Sequence, residues 1–164
     1  LSKYPIPAVF WFIFIYLFTF RRLFIGESGM PEKISIKVRG YHLDVYGHVN
    51  NTRYLEFLEE ARWTIKEKYF DFPEIHNKGF GFVVVNTNIN YRSYAELGDT
   101  LEIRTHVIKI GSKSAAFRHE IYLIGTEKLI ADADVTFVII NRENGKAIEL
   151  GDDWRSKLEK LRPA

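Results

Sequence analysis

Asp44 and His48 bracket a glycine in the run Asp44-Val-Tyr-Gly47-His48, and Asn50-Asn51 follow at once. A carboxylate serves as general base or nucleophile and an imidazole carries protons, so this spacing sets acid–base chemistry on one tight turn. Gly47 makes the turn. Asn50 or Asn51 suits the cap of a helix, because an amide oxygen accepts a bond from an otherwise unpaired first-turn N–H. The other first-turn N–H groups, with the positive end of the helix dipole, then point back at Asp44 and His48. A polarised carbonyl or a developing oxyanion is stabilised at such a place.

The elements that must hold this run are legible downstream. Tyr54, Leu58, Ala61 and Ile65 recur at offsets of four, three and four, one apolar stripe of a helix that runs to Tyr69. Residues 34–38 alternate as a first strand. After Pro73 and the Gly79-Phe-Gly81 punctuation come four strand-like runs, at 82–91, 101–107, 117–124 and 130–140, separated by glycine-bearing turns at 97–99, 111–114 and 125–128. In the first of them Val83, Val85, Thr87, Ile89 and Tyr91 are expected on one face and Asn86, Asn88 and Asn90 on the other. Residues 152–161 suit a short terminal helix. A strand, a long helix and four consecutive antiparallel strands predict an α+β fold with the helix laid across a curved sheet. Its free edges favour pairing with a second copy.

The chain of 164 residues, 46% hydrophobic and 15% aromatic, can fill one core, which argues against disorder and repeats. Its net charge of +2 comes from Lys3, Arg21 and Arg22 against Glu27, so the remainder is near neutral and is not a nucleic-acid binder by composition. The lack of cysteine excludes disulfides, thiolate metal sites and a cysteine nucleophile, and it agrees with the cytoplasmic location expected. Composition divides the chain into an apolar segment, 1–29, and a domain, 30–164. Residues 8–20 are 13 uncharged residues, fewer than the ~20 that span a bilayer. Residues 8–25 can be read as a membrane anchor with Arg21-Arg22 on the cytoplasmic side. A secretory signal is disfavoured because the charges follow the apolar run. The favoured reading is a non-native extension, since the only methionine is Met30, just before Pro31 and the first strand; a segment packed on the domain is a further alternative.

Asp44-x-x-Gly47-His-Val-Asn-Asn51, Tyr54-Leu55, Glu59-x-Ala61-Arg62, Ile89-x-Tyr91 and Gly98-Asp99, in this strand order, resemble the hotdog-fold acyl-CoA thioesterases of the 4-hydroxybenzoyl-CoA thioesterase type. The resemblance covers about residues 32–150. It implies hydrolysis of an acyl-CoA thioester to a free acid and coenzyme A by a homodimer or homotetramer. Asp44 would act as general base on water or as nucleophile through an anhydride, and the two stay open. The backbone N–H near Asn51 would polarise the carbonyl. No metal and no cofactor is implied, coenzyme A being part of the substrate. Family members vary at His48, Asn50 and Asn51, so those side chains are not carried over. For His48, support of the loop is the better reading, ahead of a proton shuttle or a donor to substrate. Tyr54 reads as core with a partnered hydroxyl, or else as a wall of the acyl pocket. The phosphates of coenzyme A call for cations, and Arg92, Lys113 and Arg118 are the candidates. Phe57, Trp63, Phe80 and Phe82 are available to shape an acyl pocket.

Blander readings compete. Asp44 can be a turn former. Glu59 offers a second helix carboxylate but reads better as an i,i+3 partner of Arg62. Asp44, His42 and His48 make a poor metal triad, because nothing nearby completes it. A hotdog enoyl-CoA hydratase pairs Asp with a histidine five residues on, behind a proline; here the spacing is four and no proline intervenes. A non-catalytic acyl-CoA binding module is the other alternative.

Overall fold

The computed structural model describes residues 30–163. The segment 1–29 and its three readings lie outside the described residues. Five strands form one antiparallel sheet: β1 (Glu32–Lys37), β2 (Phe80–Tyr91), β3 (Thr100–Ile110), β4 (Ser114–Leu123) and β5 (Leu129–Asn141). Their spatial order is β1-β3-β4-β5-β2, so β3, β4 and β5 meander through the centre while β1 and β2 are the two edges. Helix α1 (Asn51–Tyr69) rests on β1 and β3, with the short helices α2 (Phe72–Asn77) and α3 (Asp152–Glu159) at the far end. This is the expected α+β hotdog arrangement. Among the described residues no helix is long and apolar enough to cross a membrane.

The two periods of the sequence meet in one core. Leu101, Ile103, Thr105 and Val107 turn one face of β3 toward α1, and Tyr54, Leu58, Ala61 and Ile65 turn the helix stripe toward the sheet, all buried. Phe57 joins them, so it is core rather than pocket wall. Beneath the C-terminal end of α1 the core becomes aromatic. Phe82 packs on Phe70, Phe137 and Trp154, and Phe80 also meets Trp154, with ring centroids 5.3–6.3 Å apart. Phe80 and Phe82 are thus committed to the end of the sheet remote from the start of α1.

Two local expectations fail for identifiable reasons. The strict alternation of β2 breaks at a bulge: Val84 lies opposite Phe137 and Asn86 opposite Thr136, leaving Val85 as an extra residue. One inserted residue exchanges the faces. Val84, opposite core Phe137, therefore takes the face expected for Val83 and Val85. Pro73 is not a mere break either. Asp71 caps the Glu74 N–H at 2.9 Å and Pro73 sits in the first turn of α2, where its missing N–H costs nothing.

Candidate active site

Leu43 and Val49 bridge as the base of a small hairpin whose tip holds the acidic residue. The Asp44 N–H donates to the His48 carbonyl at 2.8 Å and the Gly47 N–H to the Asp44 carbonyl at 3.1 Å. Gly47 has φ +77°, a left-handed conformation that closes the turn and that a side chain would strain. The Asp44 carboxylate is turned inward over its own loop. Its Oδ1 accepts from the Tyr46 N–H at 2.9 Å and the His48 N–H at 3.4 Å, while Oδ2 has no partner among the described residues. One oxygen is spent on orientation and the other is open.

Asn50 is the N-cap of α1. Its Oδ1 accepts from the Thr52 N–H at 3.0 Å and the Thr52 hydroxyl at 2.8 Å. The Asn50 N–H donates to the His42 carbonyl at 2.9 Å, and the Arg53 N–H donates to the Asn50 carbonyl at 2.9 Å. The Asn51 N–H finds no acceptor among the described residues. No acidic residue lies in the first turn to compete for it. The N–H to which the dipole argument pointed is therefore a free backbone N–H among the described residues.

Aromatic residues wall this helix start. His42 is buried, its Nδ1 accepting from the Arg39 N–H at 3.0 Å, and burial followed by the charge of Arg53 pushes its pKa below the usual value. It is a neutral strut under Asn50. Tyr54 is 3% exposed and belongs to the core, and burial pushes its phenol up to about 12 against the lowering effect of the Ala95 backbone. The Tyr91 hydroxyl donates to the Asn51 carbonyl at 3.0 Å. His48 turns aside: its ring stacks on Tyr94 at 4.4 Å, with Nε2 3.9 Å from Glu96, and makes no hydrogen bond to Asp44 among the described residues. The sequence offers His42 only as part of a poor metal triad and Tyr91 only as part of the family motif, and it gives Tyr94 no role, because the contacts that bring these rings to the helix start are made through the fold. The signal for Tyr91 is its place in the Ile89-x-Tyr91 part of that motif.

The family model described as the thioesterase-like superfamily matches residues 38–158. The chain belongs to this superfamily. It is 48% identical over 126 residues to the long-chain acyl-CoA thioesterase FadM of Escherichia coli, covering 77% of this chain and 96% of that protein. The crystal structure of YbaW, a probable thioesterase from E. coli, superposes with a TM-score of 0.73 at 47% identity, over 79% of this chain and 97% of that one. SAV2348 of Staphylococcus aureus, solved in complex with CoA, has a TM-score of 0.73 at 12% identity, over 85% of this chain and 91% of that one, and shares the fold alone.

The remaining residues of this thioesterase-like chain that were nominated for substrate do not gather at Asp44. Arg92 and Arg118 both bind Asp132, on the sheet face away from α1, at 2.5 and 2.8 Å, and Arg118 also binds Asp134 at 3.0 Å. Lys113 sits in the β3–β4 turn, at the opposite end of the sheet from Asp44, an 11-residue strand or roughly 33 Å away within the chain. Arg62 does not pair with Glu59: among the described residues no carboxylate lies within 4 Å of it, and burial lowers its pKa. Among the described residues no three His, Asp or Glu side chains converge as metal ligands.

Proposed function

We propose that this acyl-CoA thioesterase cleaves its substrate with Asp44 as the base or nucleophile and the Asn51 N–H as the oxyanion donor. The observation that carries the reading is the pairing of a carboxylate with one free oxygen and a helix N-terminus with one free N–H, held a few residues apart by a single hairpin. The thioester carbonyl oxygen accepts from the Asn51 N–H, and charge gathers there as the carbon becomes tetrahedral. As a base, Asp44 takes a proton from water, the resulting oxygen bonds to the carbon, the C–S bond breaks and the thiolate leaves to be protonated. As a nucleophile, its oxygen bonds to the carbon first, coenzyme A leaves, and water hydrolyses the anhydride. Single-turnover hydrolysis in labelled water tests the second route, since label enters Asp44 only when water opens an anhydride at the aspartyl carbonyl. Neither calls for a metal or redox cofactor.

The enzyme works as a paired assembly. β2 is a 12-residue edge with Val83, Val84 and Val85 38–56% exposed, an apolar rim that a lone chain would leave in water. Antiparallel pairing of two β2 edges lays the Tyr91 end of one copy beside the Phe80 end of the other. The Phe80 end carries the β3–β4 turn, so the partner's Lys113 arrives at the site end to meet the phosphates of coenzyme A. Sedimentation of the wild-type chain as a monomer at assay concentrations would remove this part of the reading.

The E. coli relative is named for long acyl chains, which makes long chains the first to test. Thiol release from short, long, branched and aromatic acyl-CoAs checks the assignment, with fastest turnover expected on a long chain. Tight binding without thiol release at any chain length would turn the chain into a binding module.

A further inference from the structure

Tyr91 is the last residue of β2, the edge strand, whereas α1 rests on β1 and β3. Its hydroxyl crosses to the first turn of α1 and donates to the Asn51 carbonyl at 3.0 Å, with its ring 5.6 Å from that of Tyr54. At 46% exposure it is not a residue kept for packing alone.

We infer that Tyr91 is the positioning residue for the backbone oxyanion donor, a role that rests on the reading of the Asn51 N–H given above. The donor belongs to the peptide joining Asn50 and Asn51. That plane is held through its own carbonyl, by the Arg53 N–H on the Asn50 oxygen at 2.9 Å, while the plane before it is tied by the Asn50 N–H to the His42 carbonyl at 2.9 Å. The next plane, joining Asn51 and Thr52, is held by the cap bond at Thr52 N–H and by the Tyr91 hydroxyl on its carbonyl. The two planes meet at one Cα. Fixing both sets the dihedrals of Asn51 and hence the direction of its N–H.

Helix ends fray, and a donor that must reorient as charge develops loses most of its value. The tyrosine opposes this cheaply. Its ring has two side-chain torsions and is seated against Tyr54, so little freedom is lost when the hydroxyl engages. Because that hydroxyl is spent on a main-chain oxygen, it acts on the reaction only through Asn51.

Tyr91→Phe keeps the ring and removes the bond. Its kcat on the best acyl-CoA of the screen is expected to fall about tenfold, the worth of one neutral hydrogen bond, with KM within twofold of wild type. A merely structural role would not change the polarisation of bound substrate, so the second readout is the carbonyl stretch of a thioester bound to the Asp44→Asn variant. That stretch should lie to the red of its solution value, and Tyr91→Phe in the same background should remove part of the shift. Should the phenylalanine variant be unstable, 3-fluorotyrosine at position 91, a stronger donor of nearly the same shape, should raise kcat and enlarge the shift. Unchanged kcat and unchanged stretch in a folded Tyr91→Phe variant, or no response to fluorination, overturns the inference. Full activity of Asp44→Asn would instead overturn the catalytic role of Asp44.

Discussion

Two aspartates of this chain are held in opposite ways. Asp44 lies at a hairpin tip, partly open to solvent, and its hydrogen bonds come from the main chain of its own loop. Asp132 is 2% exposed on the far face of the sheet and receives Arg92, Arg118 and Asn90. The bonds from Arg92 first, with Asn90 and the charge of Arg118, hold its carboxyl below the usual carboxylate range in spite of burial. A carboxylate surrounded by cations is a poor base and has no oxygen to spare. One oriented by neutral N–H groups through a single oxygen keeps the other for a water molecule or a carbonyl carbon. The difference separates a carboxylate that holds the sheet together from one free to react, although by residue type they are identical.

Exchanging each for its neutral isostere should break the comparison into two unlike defects. Asp44→Asn is expected to lower kcat by about a thousandfold or more, near 4 kcal/mol of barrier, while the melting temperature moves little, because an amide oxygen can still accept from Tyr46 and His48. Steady-state thiol release and a thermal melt on the same preparation check both halves. Asp132→Asn should do the reverse. Two arginines lose their counter-charge, and the expected loss is about 1–3 kcal/mol of stability, less than for a fully buried pair because both guanidinium groups keep some water. Denaturant unfolding measures it, with kcat per folded molecule unchanged; a drop in kcat comparable to that of Asp44→Asn would erase the distinction.

Acid offers a graded version of the same contrast. His119 is fully buried under α1 with Nδ1 2.8 Å from the Thr105 hydroxyl, and burial, followed by the charge of Arg62, pushes its pKa down to about 3. The unfolded chain takes up that proton near pH 6.5 and the folded chain does not, so stability is full above about 6.5 and declines as pH falls toward about 3. Asp132, also depressed when folded, adds its own loss only below about pH 4. Urea midpoints measured from pH 7 to 4 should therefore slope downward. His119→Gln, which retains a polar contact to Thr105 without titrating, should flatten that slope, whereas Asp132→Asn should leave it in place. An unchanged slope in His119→Gln would remove the histidine from the account.

What the sequence discloses divides along a similar line between local and distant causes. The α1 stripe and the cap at Asn50 are visible because both depend on neighbours within a few residues, and the free Asn51 N–H follows from the cap whatever side chain stands there. The bulge at Val85 is invisible, because it exists only in register with Phe137 and Thr136 on another strand. Arg92 and Arg118 were nominated for phosphate by charge alone. Their partner Asp132 lies 40 and 14 residues away, and no local pattern announces it. The start of α2 was hidden differently: Pro73 carries the same letter whether it ends a segment or opens a helix, and Asp71 decides the matter.

The smallest effect sharpens the contrast among the cations. Arg92 and Arg118 are committed to carboxylates, but Lys113 has no carboxylate within 4 Å among the described residues and stands on an exposed turn. A single solvated ammonium contributes little to binding, so Lys113→Ala should raise KM for an acyl-CoA about two- to fivefold at low salt and hardly at all at high salt. The thioester of the same acid with pantetheine lacks the nucleotide phosphates, and its KM should not respond. Assays of both thioesters at two ionic strengths decide the point. An equal rise for the two substrates would mean that Lys113 acts on the fold of the turn, and the phosphates would then need another cation at the mouth of the site.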